Sequence, residues 1–158
     1  MRRALAAAAS VFALAGGVIV ALVAGVTVLS VVGRWLIATP IPGDLELMQL
    51  GTASALALFL PYCQLHGRHL IVDIFTVRSG AALHRRLDAV AHLVAAAVLM
   101  LLAARAAVGV ASLRAATETS MVLGVPLWLA YAPMVPALVL AALIALLGIR
   151  SAPAEDGA

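Results

Sequence analysis

The sequence contains no lysine, and its ten basic residues are all arginine. Charge of either sign is scarce. Seven carboxylates bring the charged fraction to only 11%, against roughly a quarter in an ordinary soluble domain. So few charges could not cover a water-facing surface, which excludes a soluble globule. The hydrophobic fraction of 65% and the mean hydropathy of +1.16 place the chain in a membrane instead. Cysteine is nearly absent. Cys63 is the single one, which excludes an intrachain disulfide and a cysteine-based metal cluster. A lone thiol near the end of an apolar run reads as an inert buried residue. The net charge of +3 and the pI near 10.0 are compatible with nucleic-acid binding in sign only. The arginines are dispersed along the chain, whereas a nucleic-acid binder concentrates them on one face. The expected surroundings are the lipid bilayer, with no nucleic-acid partner.

Polar chemistry at membrane depth is also missing. Carriers and pumps hold ions or substrate with ionisable groups near mid-bilayer. Here Gln49 and Thr52 lie in the outer half of a span, and no carboxylate lies deep in any span. A membrane hydrolase would need a nucleophile–base pair, or two histidines at i and i+4 with a glutamate; the sequence has neither. A small multidrug exporter of similar length would want an acidic residue inside its first helix. A haem-bearing bundle would want histidines facing one another within spans, but His66, His69 and His84 are read as loop residues and only His92 lies within a span. A histidine in that position is more often a helix–helix hydrogen-bonding residue than a ligand. The expectation is a protein that is not an enzyme, with no cofactor and no metal site. A small membrane haem or metal protein using the four histidines, and an autonomous four-span exporter, are the alternative readings.

What is present are long apolar runs. A helix crossing about 30 Å of hydrocarbon needs roughly 20 mostly apolar residues, and the charges divide the chain into four such runs. They predict an all-α integral membrane protein, a single membrane domain over 1–158, with spans at approximately 9–33, 46–65, 86–110 and 122–148. Continuous apolarity favours helices over barrel strands, which would alternate. The start, "MRRALAAAASVFALAGG", has the basic and apolar parts of a signal peptide. Its apolar run continues to Gly33, longer than a cleaved signal, so a retained first helix is expected.

Arginine placement predicts orientation, because cytoplasmic loops carry the excess of positive charge. The termini and the loop between spans two and three collect Arg2, Arg3, Arg68, Arg78, Arg85, Arg86 and Arg150, while the other side has Arg34, Arg114 and Arg105. Both termini are therefore expected in the cytoplasm. Trp35 and Trp128 then fall at the outer interface, where indole rings favour the headgroup level. Arg105 lies about 30 Å along a helix from Arg85, close enough to the outer interface to snorkel.

Local signals add detail. Ala13, Gly17, Ala21 and Gly25 recur every four residues and form a ladder that would admit another helix closely. In the first outer loop, Pro40, Pro42 and Gly43 stop a helix, and Asp44 reads as the N-cap of span two. Glu46 complements the dipole of that helix. Arg34 faces the same aqueous side and could pair with Asp44 or Glu46, a contact of little energetic weight if exposed. Pro126 suits a first helical turn, whereas Pro133 and Pro136 would kink the last span. On the cytoplasmic side, "HGRHLIVDIF" (66–75) is unusually polar. Gly67 allows a sharp exit from span two. Leu70, Ile71, Ile74 and Phe75 follow helical spacing, which predicts a short amphipathic interfacial segment over 67–80.

The order of these features resembles a known family, the small (DctQ-type) membrane subunit of tripartite ATP-independent periplasmic (TRAP) transporters. Arg34 closes the first span. Gly43, Asp44 and Glu46 are similar to the family's "G-x-x-E" opening of the second. "GRHLIVD" (67–73) resembles its "H-[IV]-x-[VI]-D" loop. "VPLWLAYAPMVPALVL" (125–140) resembles its "iP-x-W-x-x-Y-x-x-x-P" opening of the last span. The arginine-rich "RSGAALHRR" (78–86) matches no family motif. The resemblance implies a multi-pass protein of the bacterial inner membrane that braces a large multi-span TRAP subunit. That subunit carries an organic acid, such as a C4-dicarboxylate, on a sodium gradient, and a periplasmic substrate-binding protein delivers the acid. It also implies structural or subunit-interface roles for Arg34, Asp44, Glu46, His69, Asp73, Trp128 and Tyr131; Gly17, Ala21 and Gly25 are expected as helix-packing positions on their spacing alone.

Overall fold

A computed structural model describes residues 2–38, 41–66 and 81–148 of the chain. Among these, every regular element is a helix. They are α1 (Arg2–Ile37), α2 (Asp44–His66), α3 (Ala81–Ala115), α4 (Leu127–Tyr131) and α5 (Met134–Gly148). The interfacial segment expected over 67–80, with His69 and Asp73, lies outside the described residues.

Among the described residues, three stretches are long and apolar enough to cross a membrane: Arg3–Leu36, Ala89–Ala115 and Leu127–Leu147. The second helix differs in kind. At 23 residues α2 is long enough to span, but Gln49, Thr52, Ser54 and Gln64 dilute its apolarity. The first and third helices, with 36 and 35 residues, are about 54 and 52 Å long at 1.5 Å per residue. Both exceed the hydrocarbon thickness.

The helices form a row. α1 packs along α2, α2 along α5, and α5 along α3, while neither α1 nor α2 makes an extensive contact with α3 among the described residues. The chain neighbours α2 and α3 are thus separated in space by the last helix. Such a row has a thin core built mostly from alanine: Ala55, Ala137, Ala141, Ala142 and Ala145 are fully buried. Small side chains let helix backbones approach closely where no water drives apolar groups together. The outer faces remain apolar and open. Leu14, Leu22 and Leu29 on α1, and Leu101 and Val108 on α3, are all more than three-fifths exposed.

The close approach of α1 to α2 occurs at glycines other than those of the expected ladder. A methyl group added at Gly16 would lie 3.1 Å from the Ala55 carbonyl oxygen and 3.3 Å from Leu58 Cβ. One added at Gly51 would collide with Val23. Gly17 and Gly25 have nothing within 4 Å of that position, and Ala21 is exposed. The ladder therefore faces outward, and within the chain the seam runs through its neighbour Gly16. Cys63, read from sequence as buried, is exposed near the end of α2.

The last span is broken in two. Pro133 lacks the N–H that would continue the helix onto Leu129, so α4 ends and α5 begins within three residues. Pro126 occupies the N-cap of α4 with extended φ −60° and ψ 121°.

Candidate functional site: a loop clasp at one end of the helix row

Two loops lie together at one end of the row: residues 41–43, which lead into α2, and residues 116–126, between α3 and α4. Side chains of α1 and α2 join them. Ser30, fully buried near the end of α1, donates its hydroxyl to Asp44 Oδ2 at 2.5 Å. Its oxygen also receives the Ile41 N–H at 3.3 Å. The second oxygen of Asp44, Oδ1, accepts the Leu45 N–H at 2.8 Å. Asp44 begins the helix rather than preceding it. Gly43, at φ 82°, supplies the carbonyl that accepts the Leu47 N–H. The N-cap is thus Gly43 rather than the expected Asp44; glycine adopts this left-handed conformation without steric cost, and Asp44 instead ties α2 back to α1.

Glu46 reaches the other way. Its carboxylate accepts the backbone N–H groups of Val122, at 3.1 Å to Oε1 and 3.3 Å to Oε2, and of Leu123, at 3.3 Å. The Ser120 hydroxyl is buried beside this carboxylate without closing a well-formed bond to it. Backbone bonds from Ser120 N–H to the Val125 carbonyl and from Gly124 N–H to the Ser120 carbonyl hold this loop in a tight turn. An isolated bridge between Thr119 and Pro126 closes it. Leu123 packs onto Gly43, where an added Cβ would sit 2.5 Å from Leu123 Cγ. The polar clasp thus has an apolar contact beneath it.

These partners set the electrostatics. The Ser30 hydroxyl, above all, holds the Asp44 carboxyl below the usual carboxylate range, helped by the Leu45 N–H and by the positive charge of Arg34. Glu46 is lowered first by Ser120 and then by the N–H dipoles of the turn. Hydrogen bonds to the charged form favour ionisation. Both groups are carboxylates engaged as acceptors.

The other expected positions divide. Arg34 is exposed at the end of α1 and makes no ion pair with Asp44 or Glu46; it acts on Asp44 only through space. Trp128, on α4, lies under the Arg114 guanidinium, 5.4 Å from ring centroid to Cζ. Tyr131 is exposed at the end of α4. Away from the clasp, His66 stacks on Tyr62 with ring centroids 4.2 Å apart and shares a 3.1 Å contact with the Tyr62 carbonyl. Among the described residues no three His, Cys, Asp or Glu side chains converge.

Several residues central to this arrangement carry no motif. Ser54, buried in α2, directs its hydroxyl both at its own helix, 2.8 Å from the Leu50 carbonyl, and across to α4, 2.6 Å from the Ala130 carbonyl. Helix-end carbonyls lack intrahelical partners; Ala130 lies in the last turn of α4, and Ser54 donates to its carbonyl. Two of the three buried serines share a signal in the sequence. Ser30 and Ser54 are small hydroxyl residues in apolar runs, the type that hydrogen-bonds between membrane helices, whereas Ser120 closes a polar loop run, Thr117-Glu118-Thr119-Ser120.

No curated protein and no solved structure is detectably similar to the chain. A family profile described as "Tripartite ATP-independent periplasmic transporters, DctQ component" matches residues 23–152. That range contains both loops of the clasp, α2, and the whole broken last span. The chain belongs to the DctQ family of TRAP transporter components.

Proposed function

We propose that this chain is the small membrane subunit that braces the large TRAP subunit in the bacterial inner membrane. The complex takes up an organic acid, such as a C4-dicarboxylate, on a sodium gradient after delivery by a periplasmic binding protein. All four long segments span the bilayer. The first turn of α2, with Asp44 and Glu46, lies at the outer water boundary, and both termini are cytoplasmic. Arg34, Trp128 and Tyr131 mark the outer interface, and His69 and Asp73 shape the cytoplasmic turn between α2 and α3.

Beyond family membership, one observation carries the bracing role. Leu45, Gln49, Thr52 and Leu56 form an exposed stripe on α2, opposite the buried Ser54 face. Neither the Gln49 amide nor the Thr52 hydroxyl has a hydrogen-bond partner among the described residues. A polar pair turned outward at the edge of the hydrocarbon favours a partner helix that satisfies it over lipid tails, which cannot. The remaining outward faces are apolar and suit a protein or lipid neighbour equally. The test is co-expression with the large membrane subunit. The two should purify as a stable complex, and the Gln49→Leu, Thr52→Val double variant should reduce recovery of the large subunit severalfold while the small one still inserts. Uptake restored by this chain without the large subunit would overturn the bracing role.

A further inference from the structure

One feature of the clasp end takes no part in joining the loops. Arg114, in the last turn of α3, lies over Trp128. Together with Thr117, Thr119 and Pro126 they line an open cleft of about 280 Å³. Three observations define its chemistry. Arg114 forms no ion pair among the described residues; Glu118, four residues further on, is the nearest carboxylate in sequence and does not line the cleft. The guanidinium is therefore held in place by the indole ring while its N–H groups remain available. The Thr119 hydroxyl has no partner among the described residues, whereas that of Thr117 is engaged by the Ala116 carbonyl at 2.8 Å. The cleft thus offers one fixed cation and one free hydroxyl donor, on a wall formed by an indole and a proline ring.

Its height relative to the bilayer follows from the apolar stretches. Arg114 is one residue before the end of Ala89–Ala115, and Trp128 is one residue after the start of Leu127–Leu147. The cleft therefore opens at the level where both stretches meet water, the level of lipid headgroups. We propose that it binds a phosphate group, supplied by the headgroup of an anionic phospholipid. The guanidinium fork and the Thr119 hydroxyl take the phosphate oxygens, and the Trp128 and Pro126 rings contact the glycerol and first acyl carbons. Because the site lies within the α3–α4 corner, it does not depend on the bracing role; an intact cleft would hold lipid whether or not the large subunit is the partner.

The test is native mass spectrometry of the full-length protein, alone and with the large subunit, in detergent. Phosphatidylglycerol is the lipid probe and inorganic phosphate the soluble one. Wild-type protein should retain one phosphatidylglycerol. Arg114→Gln should weaken that retention about tenfold and Arg114→Lys less, because lysine keeps the charge but loses the planar fork. Thr119→Val, which leaves the cation–π contact intact, should weaken it about threefold, and Arg105→Gln on the same helix should leave it unchanged. Melting temperatures of the variants show that they are folded. Should Arg114→Gln fold poorly, Thr119→Val decides by itself. Retention that is unchanged in Thr119→Val and in any folded Arg114 variant overturns the site. Arg114-dependent binding of inorganic phosphate, with no lipid retained, overturns the lipid as the source. If copurification with the large subunit fails while Arg114-dependent lipid retention persists, the bracing role falls and this site stands.

Discussion

Ser54 carries one hydroxyl hydrogen and faces two carbonyls, those of Leu50 and Ala130. The first lies one turn back in the same helix; the second belongs to the last turn of α4. Ser54→Ala leaves the Leu50 carbonyl in its helical bond and strands that of Ala130. Hydrogen bonds between membrane helices contribute about 0.6–2 kcal/mol, so the variant should melt measurably earlier in detergent while keeping its helical circular dichroism. The carboxylates of the clasp make a second residue-scale prediction. Asp44 and Glu46 are both held below their ordinary pKa. A group depressed on folding contributes stability that is fully present above its unfolded pKa and is lost as pH falls through its folded pKa. The clasp should therefore be unaffected by pH between about 6 and 8 and loosen only below about pH 4. Glu46→Gln should remove part of that acid sensitivity in a melting-temperature series. An equal acid response in wild type and variant would show that Glu46 does not contribute to it.

At the scale of elements, the α1–α2 seam depends on two positions without side chains. Gly16 lies against the Ala55 backbone and Gly51 against Val23. Gly51→Ala would push α1 outward, and overpacking of this kind costs about 1–3 kcal/mol. Because the collision is with Val23, the double variant Gly51→Ala, Val23→Ala should recover much of that loss, the coupling expected of side chains in contact. A thermal-stability cycle of the four proteins measures it; strictly additive effects would show that the two helices do not meet there. The ladder of Ala13, Gly17, Ala21 and Gly25 follows the same sequence rule yet faces outward. Periodicity identifies which residues share a helix face but not which face meets a neighbour. In a chain so rich in alanine and glycine, two adjacent small-residue stripes satisfy the same rule.

At the scale of the whole molecule, a row of helices leaves each outer helix open along most of its length, which suits a subunit completed by a neighbour. In the proposed topology, with four spans and cytoplasmic termini, the clasp would face the periplasm and Cys63 would lie toward the cytoplasmic end of α2. A membrane-impermeant maleimide added to intact spheroplasts should label Met121→Cys, whose parent residue is 99% exposed on the clasp turn, in a Cys63→Ala background. Native Cys63 should be labelled only after permeabilisation. The reverse pattern would invert the topology. The sequence by itself determined that the chain is a helical membrane protein, because so few charges in long apolar runs permit little else. It also marked the ends of the clasp through Gly43, Asp44, Glu46 and the proline-bearing last span, since turns and helix starts are encoded locally. Only the tertiary structure decided that α5 lies between α2 and α3, that Gly16 rather than Gly17 meets α2, and that Glu46 reaches a loop 76 residues away in sequence. Such contacts depend on how helices rotate and order themselves against one another. Apolar faces of similar size, surrounded by equally apolar lipid, encode that choice only weakly along the chain.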